Sequence, residues 1–337
     1  MSSIQQLVKK GHELAAKKSE NTKRAYDSDL KVFKNWCKEH GLKPFPATVE
    51  MIIAFIVDRS DQQIAVSTIA RSLCSISQAH KKRKLDNAAL SAEVAQTMNG
   101  IRKDKGAGQK QAKPIVTRQL SRILSKLGYS IFDKRDAAIL ALGWACALRS
   151  AEIVALELQD VEILPDGLIV TVRRSKTDQE AKGRKIGVPF AADDAGFCPV
   201  CIVQNWLSLS RSKDQQNTDP VFFSLQKGSN REFFNFKKDK KKLSTQTITA
   251  IVRRTLKHAG YDAEGFSSHS LRAGLITSAA GAGVPEWAIM KHTRHTSEKI
   301  MRQYIRDGTL FRDNPVTALL GQSKPPELPE LPETAAI

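Results

Sequence analysis

The sequence predicts a mainly α-helical chain, with an N-terminal helical bundle followed by a mostly helical domain holding one small antiparallel β-hairpin. Three observations predict it. Apolar residues recur at helical spacing along most of the 337 residues. One window, 168–190, switches to β-branched residues around a polar turn. A basic, glycine-containing stretch at 102–114 separates two apolar regions, each long enough for its own core.

The elements follow in order. Ile4, Leu7, Val8, Gly11 and Leu14 keep helical spacing. After the cap candidates Ser19 and Asn21, a second stripe runs Tyr26, Leu30, Phe33, Trp36 and Cys37, until His40-Gly41 and the Pro44/Pro46 pair stop it. A third helix covers about Val49 to Val57. A fourth carries Ile69, Leu73 and Ile76 and ends in His80-Lys-Lys-Arg-Lys84. A fifth holds Leu90, Val94, Met98 and Ile101. The segment 102–114 has no apolar side chain larger than alanine, two glycines and a closing proline, so it reads as a flexible basic linker.

Beyond the linker, Thr117 to Leu127 opens the second domain, and Arg135 to Leu148 is apolar nearly all round, hence buried. Ser150 is an N-cap candidate for the next helix, with Glu152 in its first turn. Leu168–Val172 and Ile186–Phe190 are the two strands, joined by the polar turn 175–184. Helices follow from about Val200, Ser244, Ser268, Pro285 and Ser297. The tail 324–337, with four prolines and three glutamates, reads as disordered. The domains are thus expected at 1–101 and 115–323.

The formal charge is +18. Residues 1–113 hold 21 Lys and Arg against 11 Asp and Glu, a net of +10. That excess points to a polyanionic partner, most simply nucleic acid. The longest apolar run, Ala137–Leu148, is too short to cross a membrane, and no secretory leader is expected at the N-terminus. Five cysteines, an odd number, suggest reduced thiols and a cytoplasmic setting. Cys198-Pro-Val-Cys201 lacks the second ligand pair a structural zinc site needs. It reads as two small core residues at a helix start, and no metal is expected.

Several residues could carry chemistry. His269 and Arg272 are three apart on a helix and share a face; alone, they read equally as a capped helix with a solvated arginine. Arg149 ends a buried helix, so it needs a partner or a function; snorkelling, or pairing with Glu152, is its ordinary explanation. Lys176 lies at the hairpin tip, where basic turns are common. Tyr304 sits on a basic helix, where a tyrosine is ordinarily a core or rim residue.

The set in this order changes their meaning. Arg149 with Glu152, a hairpin lysine, His269-x-x-Arg272, and His295 nine residues before Tyr304 together resemble the tyrosine recombinase family, the phage integrases. The strings Ala147-Leu-Arg-Ser-Ala-Glu-Ile153, Arg174-Ser-Lys-Thr-Asp178 and His269-Ser-Leu-Arg-Ala-Gly274 match family motifs closely. Ser19-Glu-Asn-Thr and Phe33-Lys-Asn-Trp-Cys are similar to the N-terminal domain of Cre-type recombinases. The resemblance covers nearly the whole chain. One departure stands out: the family usually has glycine before its last histidine, where this chain has Arg294, and His292 lies nearby as a competitor. Only His295 keeps the nine-residue spacing.

The resemblance implies a site-specific DNA recombinase that cleaves and rejoins DNA through a 3′-phosphotyrosine, without metal, ATP or other cofactor. Tyr304 is the implied nucleophile, Arg149 and Arg272 the clamp on the non-bridging oxygens, Lys176 the general acid and His269 the general base. His295 donates to the phosphoryl group, and Glu152 supports the set. A telomere resolvase or type IB topoisomerase shares this logic, and a non-enzymatic DNA-binding protein would also explain the charge. The implied partner is double-stranded DNA with inverted-repeat sites, clamped between the two domains and bound by a homotetramer, in a bacterial or phage setting. Lys81, Lys82, Arg83, Lys84, Lys237 and Lys238 are candidate phosphate contacts. A helix near Pro315 to Leu320 would dock on a neighbouring protomer.

Overall fold

The computed structural model describes residues 20–106, 111–173, 183–210, 215–225 and 240–294, together with Arg302, Tyr304, Ile305 and Leu319. Five expectations therefore lie outside the described residues: the first helix, Lys176, Lys237 and Lys238, His295 with the Ser297 cap, and the tail. The predicted helix at 315–320 does too, apart from a helical, exposed Leu319. The chain divides into two compact units, 1–110 and 111–337.

The first unit is a helical bundle. Its helices are α1 (Glu20–Glu39), α2 (Val49–Asp61), α3 (Val66–Arg83) and α4 (Ala92–Lys105), with a 3-10 turn at Ala88–Leu90. The Thr48 hydroxyl caps α2 and the Ser91 hydroxyl caps α4, each accepting from a backbone N–H three residues on. Helix α4 continues through Arg102–Lys105, four residues past the end read from the sequence. The core is aromatic at its centre, where Phe33, Trp36 and Phe55 make stacked and edge contacts. Arg71 and Asp29 join α3 to α1 through two bonds of 2.7 and 3.0 Å. His80, the first residue of the basic run, is fully buried. It donates through Nδ1 to the Ile76 carbonyl and accepts the Ala47 N–H on Nε2, so it is part of the core rather than of the charged surface.

The second unit is built round α6 (Ile131–Ala145), which is buried over nearly its whole length. The hydroxyl of Ser130 and the carboxylate of Asp133 cap its start reciprocally. Helix α5 is Thr117–Lys126, α7 is Ser150–Ala155, α8 is Pro199–Leu209, α9 is Thr245–His258, α10 is His269–Gly281 and α11 is Glu286–Thr293. Helix α6 packs against α8 and α10.

The sheet has three antiparallel strands, one more than the hairpin read from the sequence: β1 (Val161–Leu164), β2 (Gly167–Val172) and β3 (Arg184–Pro189), in order β1-β2-β3. The pairing of β2 with β3 runs from Gly167 opposite Pro189 to Val172 opposite Arg184. Strand β1 escaped notice because it has only four residues, but the Pro165-Asp-Gly167 turn that follows it is a hairpin signal. Leu168, Val170, Val172, Ile186 and Val188 face one core with Trp206 and Phe222. Arg173 ties the base of the hairpin down, pairing with Glu157 at 2.7 Å and Asp160 at 2.9 Å. Among the described residues no helix is long and apolar enough to cross a membrane.

Candidate active site

The site begins where α6 ends. After Cys146 the chain turns through Ala147, whose φ of 46° is in the left-handed region that a residue with a Cβ seldom adopts. The cap of α7 is Arg149, not Ser150, which is the first helical residue. The reason is local. The Glu152 carboxylate, three residues on, reaches back to accept the Arg149 N–H at 3.0 Å and so places the cap there. The other carboxylate oxygen takes Nη1 of Arg149 at 2.8 Å. Pairing with Glu152, the ordinary explanation for Arg149, is thus observed, but it leaves the arginine side chain 21% exposed at the surface.

Helix α10 supplies the next pair. Its first residue, His269, is exposed, and its backbone N–H donates to the Ser267 hydroxyl at 3.3 Å. Ser268 makes no capping bond through its side chain. Arg272, one turn further, is 5% exposed, so it is not the solvated arginine of the alternative reading. Its Nη1 donates to the Ala147 carbonyl at 2.7 Å. Glycines bring α10 in on two sides: Gly143 of α6 faces Leu271, and Gly274 faces Ile115 in the segment before α5. A Cβ there would fall 1.8 Å from the Ile115 carbonyl oxygen, which is itself held by the Trp144 indole at 2.9 Å.

A third cation, absent from the residues picked out by sequence, joins them. Arg294 caps the C-terminus of α11 in left-handed backbone and is 3% exposed. Its Nη2 donates to Glu152 at 3.0 Å and to the Ala147 carbonyl at 3.2 Å, so it shares one acceptor with Arg149 and another with Arg272. The signal in the sequence was the departure from the family's glycine at this position. His292, the competitor of His295, turns its Nε2 to the Ala145 carbonyl at 2.7 Å, at the last residue of α6. Tyr304 is half-buried, packed against a cluster of Ile276, Ala280 and Ile289 from α10 and α11.

These groups interact electrically. Burial, with Arg149 and Arg294 adding repulsion, pulls the Arg272 guanidinium down to about 9, while Glu152 and Tyr304 oppose the shift. Burial also lowers Arg294, opposed chiefly by Glu152. Three stretches separated in sequence thus bring Arg149 and Glu152, Arg272, and Tyr304 into one electrostatic neighbourhood, joined by Arg294 from a fourth. Beside Arg149, a cleft of about 520 Å³ opens between α7 and α9, lined by Ser150, Thr245, Gln246, Thr249, Ala250 and Arg253.

The remaining candidates fare differently. Lys81, Lys82, Arg83 and Lys84 are all exposed. Arg83, however, lies 4.3 Å over the Phe45 ring and donates to the Ala79 carbonyl, which commits it to the bundle. Cys198 and Cys201 stand at the start of α8 as expected, but not in the core: Cys198 is half-buried and Cys201 exposed. The physical reason is that Cys198 is the helix cap, its sulfur accepting the Cys201 N–H at 3.3 Å, which keeps both at the rim. Among the described residues no three His, Cys, Asp or Glu side chains converge as metal ligands.

Comparison with known proteins places this geometry. Residues 113–309 match the model of the phage integrase family, and residues 12–82 match the phage integrase N-terminal SAM-like domain. An integrase/recombinase XerD homolog of Selenomonas ruminantium is 32% identical over 316 residues, covering 91% of this chain and 87% of that relative. A tyrosine recombinase of Synechococcus elongatus is 25% identical over 300 residues, 85% of each chain. Among solved structures, the lambda integrase tetramer bound to a Holliday junction superposes with a TM-score of 0.60 at 17% identity, over 91% of this chain and 78% of that one. XerH recombinase bound to its difH substrate before cleavage gives 0.59 at 17% identity, over 83% and 74%. Both share the fold.

Proposed function

This chain belongs to the phage integrase family of tyrosine recombinases, site-specific enzymes that cleave and rejoin DNA, and from that membership we propose how its own residues divide the reaction. Tyr304 attacks the scissile phosphorus, forming a 3′-phosphotyrosyl bond as the bond to the 5′-oxygen breaks. The phenol's proton leaves during attack, since a free tyrosine with pKa about 10 is protonated at neutral pH; His269, exposed at the start of α10, accepts it. Arg149 and Arg272 take the non-bridging oxygens, for which a planar guanidinium is shaped. Lys176 gives its proton to the departing 5′-oxygen and His295 donates to the phosphoryl group. Rejoining reverses these steps, and because the phosphotyrosyl bond conserves the phosphodiester's energy, no nucleotide cofactor enters.

One observation carries the assignment. A guanidinium at 5% exposure, Arg272, shares the Ala147 carbonyl with Arg294, and Arg294 shares the Glu152 carboxylate with the partly exposed Arg149. Three guanidiniums round the single Glu152 carboxylate leave positive charge in excess, and a phosphodiester supplies the further anion next to the nucleophile. The placement of Tyr304 against its own α10 and α11 supports cleavage by each protomer with its own tyrosine.

Residues 1–101 serve as the core-binding domain and 115–323 as the catalytic domain in this reading. The net charge, the DNA-bound relatives of the same fold and the lambda integrase tetramer support action as a tetramer on paired DNA sites, in the cytoplasm of a bacterial host. Exposed Lys81, Lys82 and Lys84 are then phosphate contacts, with Lys237 and Lys238.

The test is covalent capture. Full-length protein is incubated with fragmented DNA from its source and denatured, and the protein-linked fragments are sequenced. Wild type should yield adducts converging on one inverted-repeat sequence, and Tyr304→Phe should yield none while still binding that sequence. Adducts that persist in Tyr304→Phe, or none with wild type, would overturn the reading.

A further inference from the structure

Arg294 incurs three penalties at once. Its backbone is left-handed (φ 59°, ψ 39°), a conformation that favours glycine. Its charge is almost wholly buried. Two of its donors, Nε and Nη1, are buried with no hydrogen-bond partner among the described residues. A glycine here would avoid all three. What Arg294 gains is confined to Nη2, which reaches Glu152, Ala147 and, at 3.4 Å, the Cys146 carbonyl.

Those acceptors are not neutral scaffolding. Glu152 also holds Arg149, and the Ala147 carbonyl also holds Arg272. The cluster therefore contains three guanidiniums round one carboxylate. It is short of negative charge by two, which equals the charge of a phosphodiester as it passes through a five-coordinate transition state, and unpartnered donors beside such a deficit are what an absent oxyanion leaves behind. We propose that Arg294 is a positioning residue of the phosphate site and its third guanidinium. It holds Glu152, and through it Arg149, in place, and it adds its uncompensated charge to the field at the scissile phosphate. The oxyanion site stands on the geometry alone; its identification with a scissile phosphate rests on the recombinase reading.

Two measurements on the full-length protein separate these layers. The first is calorimetric binding of orthovanadate, a phosphate-like oxyanion, to free protein. Arg294→Met should weaken it about tenfold or more. The second is single-turnover adduct formation on the captured DNA sequence, with either a normal scissile phosphodiester or a neutral methylphosphonate at that position. Arg294→Met should slow the phosphodiester about 10²- to 10³-fold and the methylphosphonate far less, because the charge that Arg294 answers is missing from the second substrate. Arg294→Lys should fall between. If Arg294→Met does not fold, Arg294→Gln, which keeps a neutral polar side chain of similar width, takes its place.

Equal losses on both substrates would reduce Arg294 to a structural counter-ion of Glu152 and overturn the proposal, as would wild-type rates and wild-type vanadate affinity in the variant. If wild type forms no adduct while vanadate binding still depends on Arg294, the recombinase reading fails and the oxyanion site stands.

Discussion

Glu152→Gln tests whether one carboxylate organises this site. The side chain is 3% exposed and accepts three bonds: the Arg149 N–H at 3.0 Å, Nη1 of Arg149 at 2.8 Å and Nη2 of Arg294 at 3.0 Å. An amide has the same shape but only one acceptor oxygen, so in either orientation its NH₂ meets an N–H donor. Arg149 can swing to water, being partly exposed, but Arg294, with its side chain 2% exposed, cannot. Stranding one member of a buried pair costs about 3–5 kcal/mol. For a unit the size of 111–337, each kcal/mol lowers the melting point by about 2–4 °C, so the second unit should melt about 6–20 °C lower. Differential scanning calorimetry reads this directly. The double variant Glu152→Gln, Arg294→Met should recover most of the loss, since Arg294 is no longer stranded, yet stay slow in adduct formation. A single variant melting within about 2 °C of wild type, or a double variant melting below both singles, would refute the reasoning.

Gly274→Ala should destabilise the second unit by about 1–3 kcal/mol or more, because its Cβ meets a hydrogen-bonded backbone carbonyl that cannot step aside; an unchanged urea midpoint would contradict this. His295→Ala should slow adduct formation about ten- to a thousandfold, the scale for one transition-state donor. His292→Ala should instead cost about 1 kcal/mol of stability, through loss of its bond to the Ala145 carbonyl, with little effect on cleavage. Inactivity of His292→Ala alone, at matched DNA occupancy, would show that the nine-residue spacing chose the wrong histidine. Lys176→Ala should be crippled on normal DNA and rescued when sulfur replaces the 5′-bridging oxygen, since a thiolate departs without a proton. Failure of rescue in a variant that still binds DNA would remove Lys176 as general acid.

What the sequence determined by itself is local. Helical periodicity located α1 to α4 and the buried α6, and capping chemistry located the start of α9 at Ser244, because each depends on side chains within a turn of one another. β-branched runs located β2 and β3, but the four-residue β1 was too short for its period to register. The order and spacing of Arg149, Glu152, His269, Arg272 and Tyr304 pointed to the family because that order resembles the family's motif. Spacing could not show that Arg149 rather than Ser150 caps α7, that His80 belongs to the core, or that the cysteine pair sits at a rim. Those outcomes turn on where a carboxylate, a carbonyl or a neighbouring helix ends up. Above all, only the tertiary structure decided that Arg294 belongs with the arginines. The left-handed turn at Ala147 aims one carbonyl at side chains 125 and 147 residues away, and Glu152 joins the cap of α7 to the cap of α11. Residues so far apart in the chain meet only once α6, α7, α10 and α11 have packed, and no local pattern encodes that meeting.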